Sequence, residues 1–153
     1  MIKRLSNAAP ETAAQIHELF QLSYAVEATI LGVEDFPPLR RSCHSYANST
    51  NAFIGYYQDQ ALAGIIEIEQ SEELIDINSL VVHPSHFRQG VAQSLIQHVF
   101  NQYGDISYVV ETGVLNLPAI KLYEKLGFIE VKQWETDFGI RKILFQRQPS
   151  SQS

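Results

Sequence analysis

A strand that runs into a glycine-bearing loop and straight on into a helix constrains this chain more than any other stretch. It reads His83-Pro84-Ser85-His86-Phe87-Arg88-Gln89-Gly90-Val91-Ala92-Gln93-Ser94-Leu95. Before it lies Leu80-Val81-Val82, an apolar run of the kind that ends a buried strand. After the loop, Val91, Ala92, Leu95, Ile96, Val99 and Phe100 recur at helical spacing. The start of a helix has free backbone N–H groups and the positive end of the macrodipole, so it suits an anion, above all phosphate. Gly90 and Ala92 lack bulk and let a ligand approach the backbone. Phe87, Arg88, Gln89, Gly90, Val91, Ala92 and Gln93 are therefore expected to form a pyrophosphate cradle. The competing reading is a plain strand-to-helix turn, which a short glycine motif alone does not exclude.

A chain of 153 residues suits one domain with a real core. The net charge of −6 argues against a nucleic-acid binder, which would carry a basic face. Cys43 is the single cysteine, so a disulfide framework and a cysteine-based zinc site are excluded. The histidines show no metal-ligand spacing. Met1 to Ser6 has no apolar signal region, and no apolar run approaches the roughly 20 residues of a membrane span. A cytoplasmic protein with no membrane partner is the expectation. No Gly-x-x-x-x-Gly-Lys-Ser/Thr and no Gly-x-Gly-x-x-Gly occurs, which sets aside the P-loop and the dinucleotide fingerprint.

Read in order, Ile2 to Ser6 predicts a short strand and Asn7 to Thr12 a helix start, with Pro10 in its first turn and Glu11 against the dipole. Ile16, Leu19 and Phe20, then Ser23 and Glu27, follow at helical spacing as far as Gly32. Pro37-Pro38 cannot continue that helix, and Leu39 to Ala47 predicts a second, short one. Ala52 to Tyr57, Leu62 to Glu69 and Leu74 to Val82 predict a meander. Within it Ile66 and Ile68 alternate in face with Glu67 and Glu69. The helix after the loop should reach Tyr103 and stop at Gly104. Ile106 to Glu111 predicts a strand broken by Gly113. Asn116 to Leu126 predicts a helix with Ala119, Leu122 and Leu126 on the core face and Tyr123 at its edge. Phe128 to Trp134 and Ile140 to Gln146 predict two final strands. Residues 1–147 then form a single domain, and 148–153 a polar tail expected to be disordered. A strand–helix–strand unit around Val82, Leu95 and Val109 implies one parallel pair in a mostly antiparallel sheet, so the fold class is mixed α/β.

Two stretches carry a resemblance. Phe87-Arg88-Gln89-Gly90-Val91-Ala92 is similar to the acetyl-CoA loop Gln/Arg-x-x-Gly-x-Gly/Ala of the GNAT superfamily of N-acetyltransferases. Asn116-Leu117-Pro118-Ala119-Ile120-Lys121-Leu122-Tyr123-Glu124-Lys125-Leu126-Gly127-Phe128 resembles that family's Asn-x-x-Ala-x-x-x-Tyr-x-x-x-Gly-Phe. The two motifs stand in the family's order, one helix and one strand apart. Phe87 departs from the pattern by holding the Gln/Arg position, with Arg88 one place later. The resemblance implies a GNAT-like fold in which the parallel strands splay apart and helices flank the sheet. It implies acetyl-CoA as cosubstrate, with its pantetheine arm beside Leu80, Val81 and Val82. Backbone N–H groups of Leu80 and Val82 would then bond the arm and polarise the thioester carbonyl. Asn116 and Ala119 would contact the cofactor, Tyr123 would be the general acid for the leaving thiolate, and Asp76 the base that takes a proton from the amine. Glu67, Glu69, Glu111, His83 and His86 are rivals for that last role, and each reads equally well as solvated surface. Cys43 has no visible His and acid arrangement and reads as structural.

The expected activity is transfer of an acetyl group from acetyl-CoA to a primary amine by direct attack in a ternary complex. The alternative, from another class, is an acyl-CoA-binding or regulatory module without turnover. The acceptor, a small molecule or a protein, is left open, and so is homodimerisation. Its pocket is expected between Tyr24 and Tyr46, with Phe36 and Pro37-Pro38 as walls.

Overall fold

The computed structural model describes residues 1–150. In chain order it has β1 (Ile2–Arg4), α1 (Pro10–Leu31), a 3-10 turn (Pro37–Arg40), α2 (Cys43–Asn48), β2 (Ala52–Gln58), β3 (Ala61–Ser71) and β4 (Leu74–Val82). There follow a second 3-10 turn (Pro84–His86), α3 (Val91–Tyr103), β5 (Ser107–Gly113), α4 (Leu117–Lys125), β6 (Ile129–Glu135) and β7 (Arg141–Arg147). One seven-stranded sheet runs β1-β2-β3-β4-β5-β7-β6, and only the β4–β5 pair is parallel. The mixed sheet and the meander expected from the sequence are both present. Among the described residues no helix is long and apolar enough to cross a membrane.

Each face of the sheet buries its own apolar cluster. On one face Ile66, Ile68, Ile75, Ile77, Tyr108 and Val110 pack against Val91, Leu95 and Val99 of α3 and Tyr123 of α4. On the other, Ile65, Val81 and Phe53 pack against Ile16, Leu19 and Phe20 of α1 and Tyr46 of α2. Helix α1 ends at Gly32 with φ 71°. The Val33 N–H reaches back to the Ala28 carbonyl and the Gly32 N–H to that of Thr29, which satisfies carbonyls the helix would otherwise leave bare.

The opening between β4 and β5 has a local cause. These strands pair from Leu74↔Ser107 to Ile77↔Val110 and no further. On the other side of β4 the register skips one residue, from Ile68↔Ile77 to Glu67↔Ser79. Asn78 is the extra residue of a β-bulge, and such a bulge bends its strand. It also reverses side-chain parity. Ile75 and Ile77 face the α3 side before it, and Leu80 and Val82 face that side after it. The strand therefore leaves β5 where its pleat is broken.

Three expectations need correction. The predicted second helix, Leu39 to Ala47, is two pieces, because Ser42 caps α2 by accepting from the Ser45 N–H at 3.1 Å. Between them Arg41 turns in to hold Glu67 through two bonds of 2.7 and 3.0 Å, with its guanidinium 4.1 Å from the Tyr46 ring centre. Glu67, expected on a solvated face, is 1% exposed, because α1 and α2 cover that face. Gly113 does not break β5 but ends it, paired with Lys142. A Cβ there would lie 2.5 Å from Leu31 Cδ2, so the end of α1 seats directly on this strand. Of the polar tail, Ser150 hydrogen-bonds Asp105, and 151–153 lie outside the described residues.

Candidate active site

Past Ile77 and Val110 the sheet is open, and the gap is a cleft of about 280 Å³. It is lined by Tyr24, Glu27 and Leu31 of α1, by Asn116 before α4 and Ala119, Leu122 and Tyr123 within it, and by Ile140 and Lys142. A second cavity of about 490 Å³ runs along the start of α3, past Val82, Phe87, Arg88, Gly90, Val91, Ala92 and Gln93. Glu27, Leu80, Ala92, Asn116, Pro118 and Leu122 line both, so the two adjoin.

The outer cavity fits a phosphate-bearing ligand. The first bond of the α3 ladder runs from the Ser94 N–H to the Gly90 carbonyl, so the N–H groups of Val91, Ala92 and Gln93 precede the ladder. No side chain caps this end. Gly90 has φ 79° and open space where a Cβ would stand. Arg88 has φ 65°, a left-handed conformation that L-residues adopt only at a cost. Phe87 and Arg88 both line the cavity, whereas Gln89 turns away, 3.3 Å from His86. Val91 contributes its backbone, since its side chain is buried in the core.

The backbone of β4 presents donors to the gap. The His83 N–H donates to Ala63 on β3. Alternation along an antiparallel pair then turns the N–H groups of Val82 and Leu80 toward the open side. That of Val82 is taken by Ser23 Oγ at 3.3 Å, which leaves Leu80 as the better oriented of the two expected donors. The Val81 side chain belongs to the opposite core.

Tyr123 lies on the inner wall with only 5% of its surface exposed. Its ring packs edge-on to Phe128 at 5.7 Å and beside Phe145 at 5.9 Å. It is thus more buried than the edge position its spacing suggested, while Ala119, Leu122 and Leu126 are partly buried around it. Burial lifts the phenol well above its ordinary range, and the charge of Glu27 lifts it further. The hydroxyl therefore stays protonated across the ordinary pH range.

Asn116 caps α4, accepting from the Ala119 N–H at 3.4 Å. Its amide donates to Glu27 Oε1 at 2.8 Å and to Thr112 Oγ1 at 3.3 Å, so the expected contact with the pantetheine amide competes with two internal bonds. Asp76 lines neither cavity. Burial raises its carboxyl above the ordinary value, and Glu69 and Glu111 raise it further. Glu111 does line the inner cleft, held by Lys142 Nζ at 2.8 Å.

The sequence reading missed Ser23 and Glu27 as site residues, although it placed both on the apolar stripe of the first helix. Polar groups on such a stripe were the available signal. Of the residues expected around the acceptor, Tyr24, Phe36 and Pro38 line the cleft, whereas Pro37 does not.

A phosphate-suited helix start, a splayed parallel pair and a buried phenol meet around the gap. Residues 13–128 match the acetyltransferase (GNAT) family, and the chain belongs to it. The protein YqkA of Bacillus subtilis (strain 168) is 29% identical over 150 residues, covering 97% of this chain and 44% of YqkA, so the chain spans under half the length of that relative. A streptothricin acetyltransferase of Escherichia coli is 31% identical over 121 residues, covering 74% of this chain and 68% of the relative. Among solved structures, the PaiA N-acetyltransferase of Thermoplasma acidophilum, in complex with coenzyme A, superposes with a TM-score of 0.75 at 17% identity, covering 97% of this chain and 98% of that one.

Proposed function

We propose that this protein transfers an acetyl group from acetyl-CoA to a primary amine in a ternary complex. The observation that carries the reading is the wall of six residues shared by the cleft at the β4–β5 gap and the cavity at the start of α3. An extended arm anchored by phosphate at the start of α3 would lie along the free edge of β4 and end beside Tyr123. The acceptor would occupy the inner cleft, beside Phe36, Pro38 and Ile140. The Leu80 N–H would polarise the thioester carbonyl, a fixed dipole that needs no reorganisation during attack. As nitrogen bonds to the carbonyl carbon and the C–S bond breaks, Tyr123 would protonate the departing sulfur.

The streptothricin acetyltransferase, by its name, acetylates streptothricin, so a panel of varied amines is the first set of acceptors to try. The test is release of free thiol from acetyl-CoA across a panel of spermidine, lysine, an aminoglycoside and an alanyl peptide. Turnover on any of them supports the reading. Tight acetyl-CoA binding with no thiol release from any would favour the non-catalytic binding module.

A further inference from the structure

We propose that Glu27 of α1 receives the acceptor's ammonium group and removes its proton, a role that rests on the acetyl-transfer reading above. The three carboxylates around the gap differ in placement. Asp76 lines neither cavity. Glu111 lines only the inner one, is tied to Lys142, and has a side chain 47% exposed. Glu27 lines both and is the one charged residue common to them among the described residues.

The junction is where the acceptor nitrogen has to meet the acetyl carbon, because each cavity can supply only one of the two reactants. Its other walls include Leu80, Ala92, Pro118 and Leu122, all apolar. An ammonium entering such a place loses water and needs a compensating charge. Glu27 is built to supply it. Its Oε1 is fixed by the Asn116 amide at 2.8 Å, and among the described residues no protein group bonds Oε2. One oxygen orients the side chain and the other is left for a ligand.

The charged and titratable groups around it are Tyr24 on its own helix, Tyr123 from α4, and Lys142 from β7, the last already paired with Glu111. From β4 come Asn78 and Ser79, which carry no charge. Burial holds the Glu27 carboxyl above its ordinary range, against the lowering effects of Asn116 and Lys142, which strengthens it as a proton acceptor.

The protons balance. Glu27 takes one from the ammonium, and the freed lone pair forms the C–N bond. Tyr123 gives its proton to the sulfur as the C–S bond breaks and regains one from the nitrogen of the new amide through water. Glu27 then releases its proton to solvent. Ammonium and acetyl-CoA have become amide, free thiol and one proton.

Glu27→Gln keeps an oxygen for Asn116 and removes only the basicity. With an amine taken from the panel above, kcat/KM at neutral pH should fall by about 100-fold or more. The acid limb of its pH profile should disappear, and acetyl-CoA affinity by calorimetry should hold. The deficit should shrink for a β-fluorinated analogue of the same amine, whose ammonium gives up its proton more readily. Glu27→Asp, which keeps the charge, should retain the acid limb and exceed Glu27→Gln in turnover. Turnover of Glu27→Gln within a few-fold of the parent overturns the assignment. So does a larger loss in Glu111→Gln or Asp76→Asn, or an equal loss in Glu27→Asp and Glu27→Gln, which would mark a structural role. Each of these leaves the transfer reading standing. A parent protein that binds acetyl-CoA but acetylates no amine removes both.

Discussion

Tyr123 combines two roles that a single substitution separates. Its ring fills a core position against Phe128 and Phe145, and its hydroxyl lies at the wall of the reaction cleft. Tyr123→Phe keeps the ring, and among the described residues no protein partner of the hydroxyl is lost, so stability should change by less than ~1 kcal/mol. Turnover at saturating acetyl-CoA should fall by roughly 10²–10⁴-fold, the usual worth of general acid help. Acetyl-CoA affinity should hold. An unchanged kcat, with chemistry shown to be rate-limiting, would reduce Tyr123 to packing. Asp76 offers a test of the opposite kind. Its folded-state pKa is raised by burial and by Glu69 and Glu111, so its ionisation costs stability in the folded protein. That cost is present above the raised value and vanishes below the unfolded carboxylate value of about 4. Asp76→Asn should therefore raise Tm at neutral pH, and the gain should fade as pH falls through the acidic range. A gain that persists at pH well below 4 would assign it to packing. Tyr123 and Asn116 were legible because they sit in a spaced motif. Glu27 was legible only as a polar residue on an apolar stripe, because its importance comes from α1 meeting α4 across a distance of 89 residues in the chain.

At the scale of elements, the seat of α3 decides where the phosphate-binding end points. Gly64 of β3 makes that seat possible. A Cβ there would lie 2.6 Å from Val91 Cγ1, 3.1 Å from the Val81 carbonyl and 3.2 Å from Leu95 Cδ1. Val91 is the first residue of α3, so any relief of this clash moves the cradle itself. Gly64→Ala should cost about 1–3 kcal/mol by overpacking. It should also weaken acetyl-CoA binding while leaving Tyr123 in place. Calorimetry and a melting curve check the two effects, and unchanged affinity would mean that the helix start is not what grips the phosphates. The strands and helices around this seat were readable from periodicity, since α3, β4 and the two last strands have strong patterns. The bulge at Asn78 was not. Nothing about an asparagine between Ile77 and Ser79 announces an extra residue, because a bulge is defined by the partner strand's register. The break in the predicted second helix was hidden for a like reason, as Arg41 is drawn out by Glu67, a residue 26 positions away.

For the whole molecule, a ligand that spans both cavities ties α1, α3, α4 and the sheet together. A ligand that binds only the folded chain stabilises it by mass action, so acetyl-CoA at 100 times its Kd should add about 2.7 kcal/mol of stability. For a domain of this size that is roughly a 5–10 °C rise in Tm. ATP and NAD, which lack the pantetheine arm, should give no comparable shift, and equal shifts from all three would remove the case for a cofactor groove. The core itself is less demanding. It is divided between two faces, and the opening lies where β4 and β5 part, so a ligand can enter without disturbing either apolar cluster.

The serine hydroxyl on the Val82 N–H has one more consequence. Where β4 and β5 part, the protein carries two strand margins inside its own sheet. Unpaired margins are templates for stray strands, and proteins that aggregate do so through them. Ser23 acts as a stopper on one such donor, and Asn78 breaks the regular repeat that a foreign strand would need. A cosubstrate arm lying in the gap would complete the guard, so colloidal resistance on heating should follow acetyl-CoA occupancy. The same opening should leave the protein without acetyl-CoA the more prone to self-association on heating.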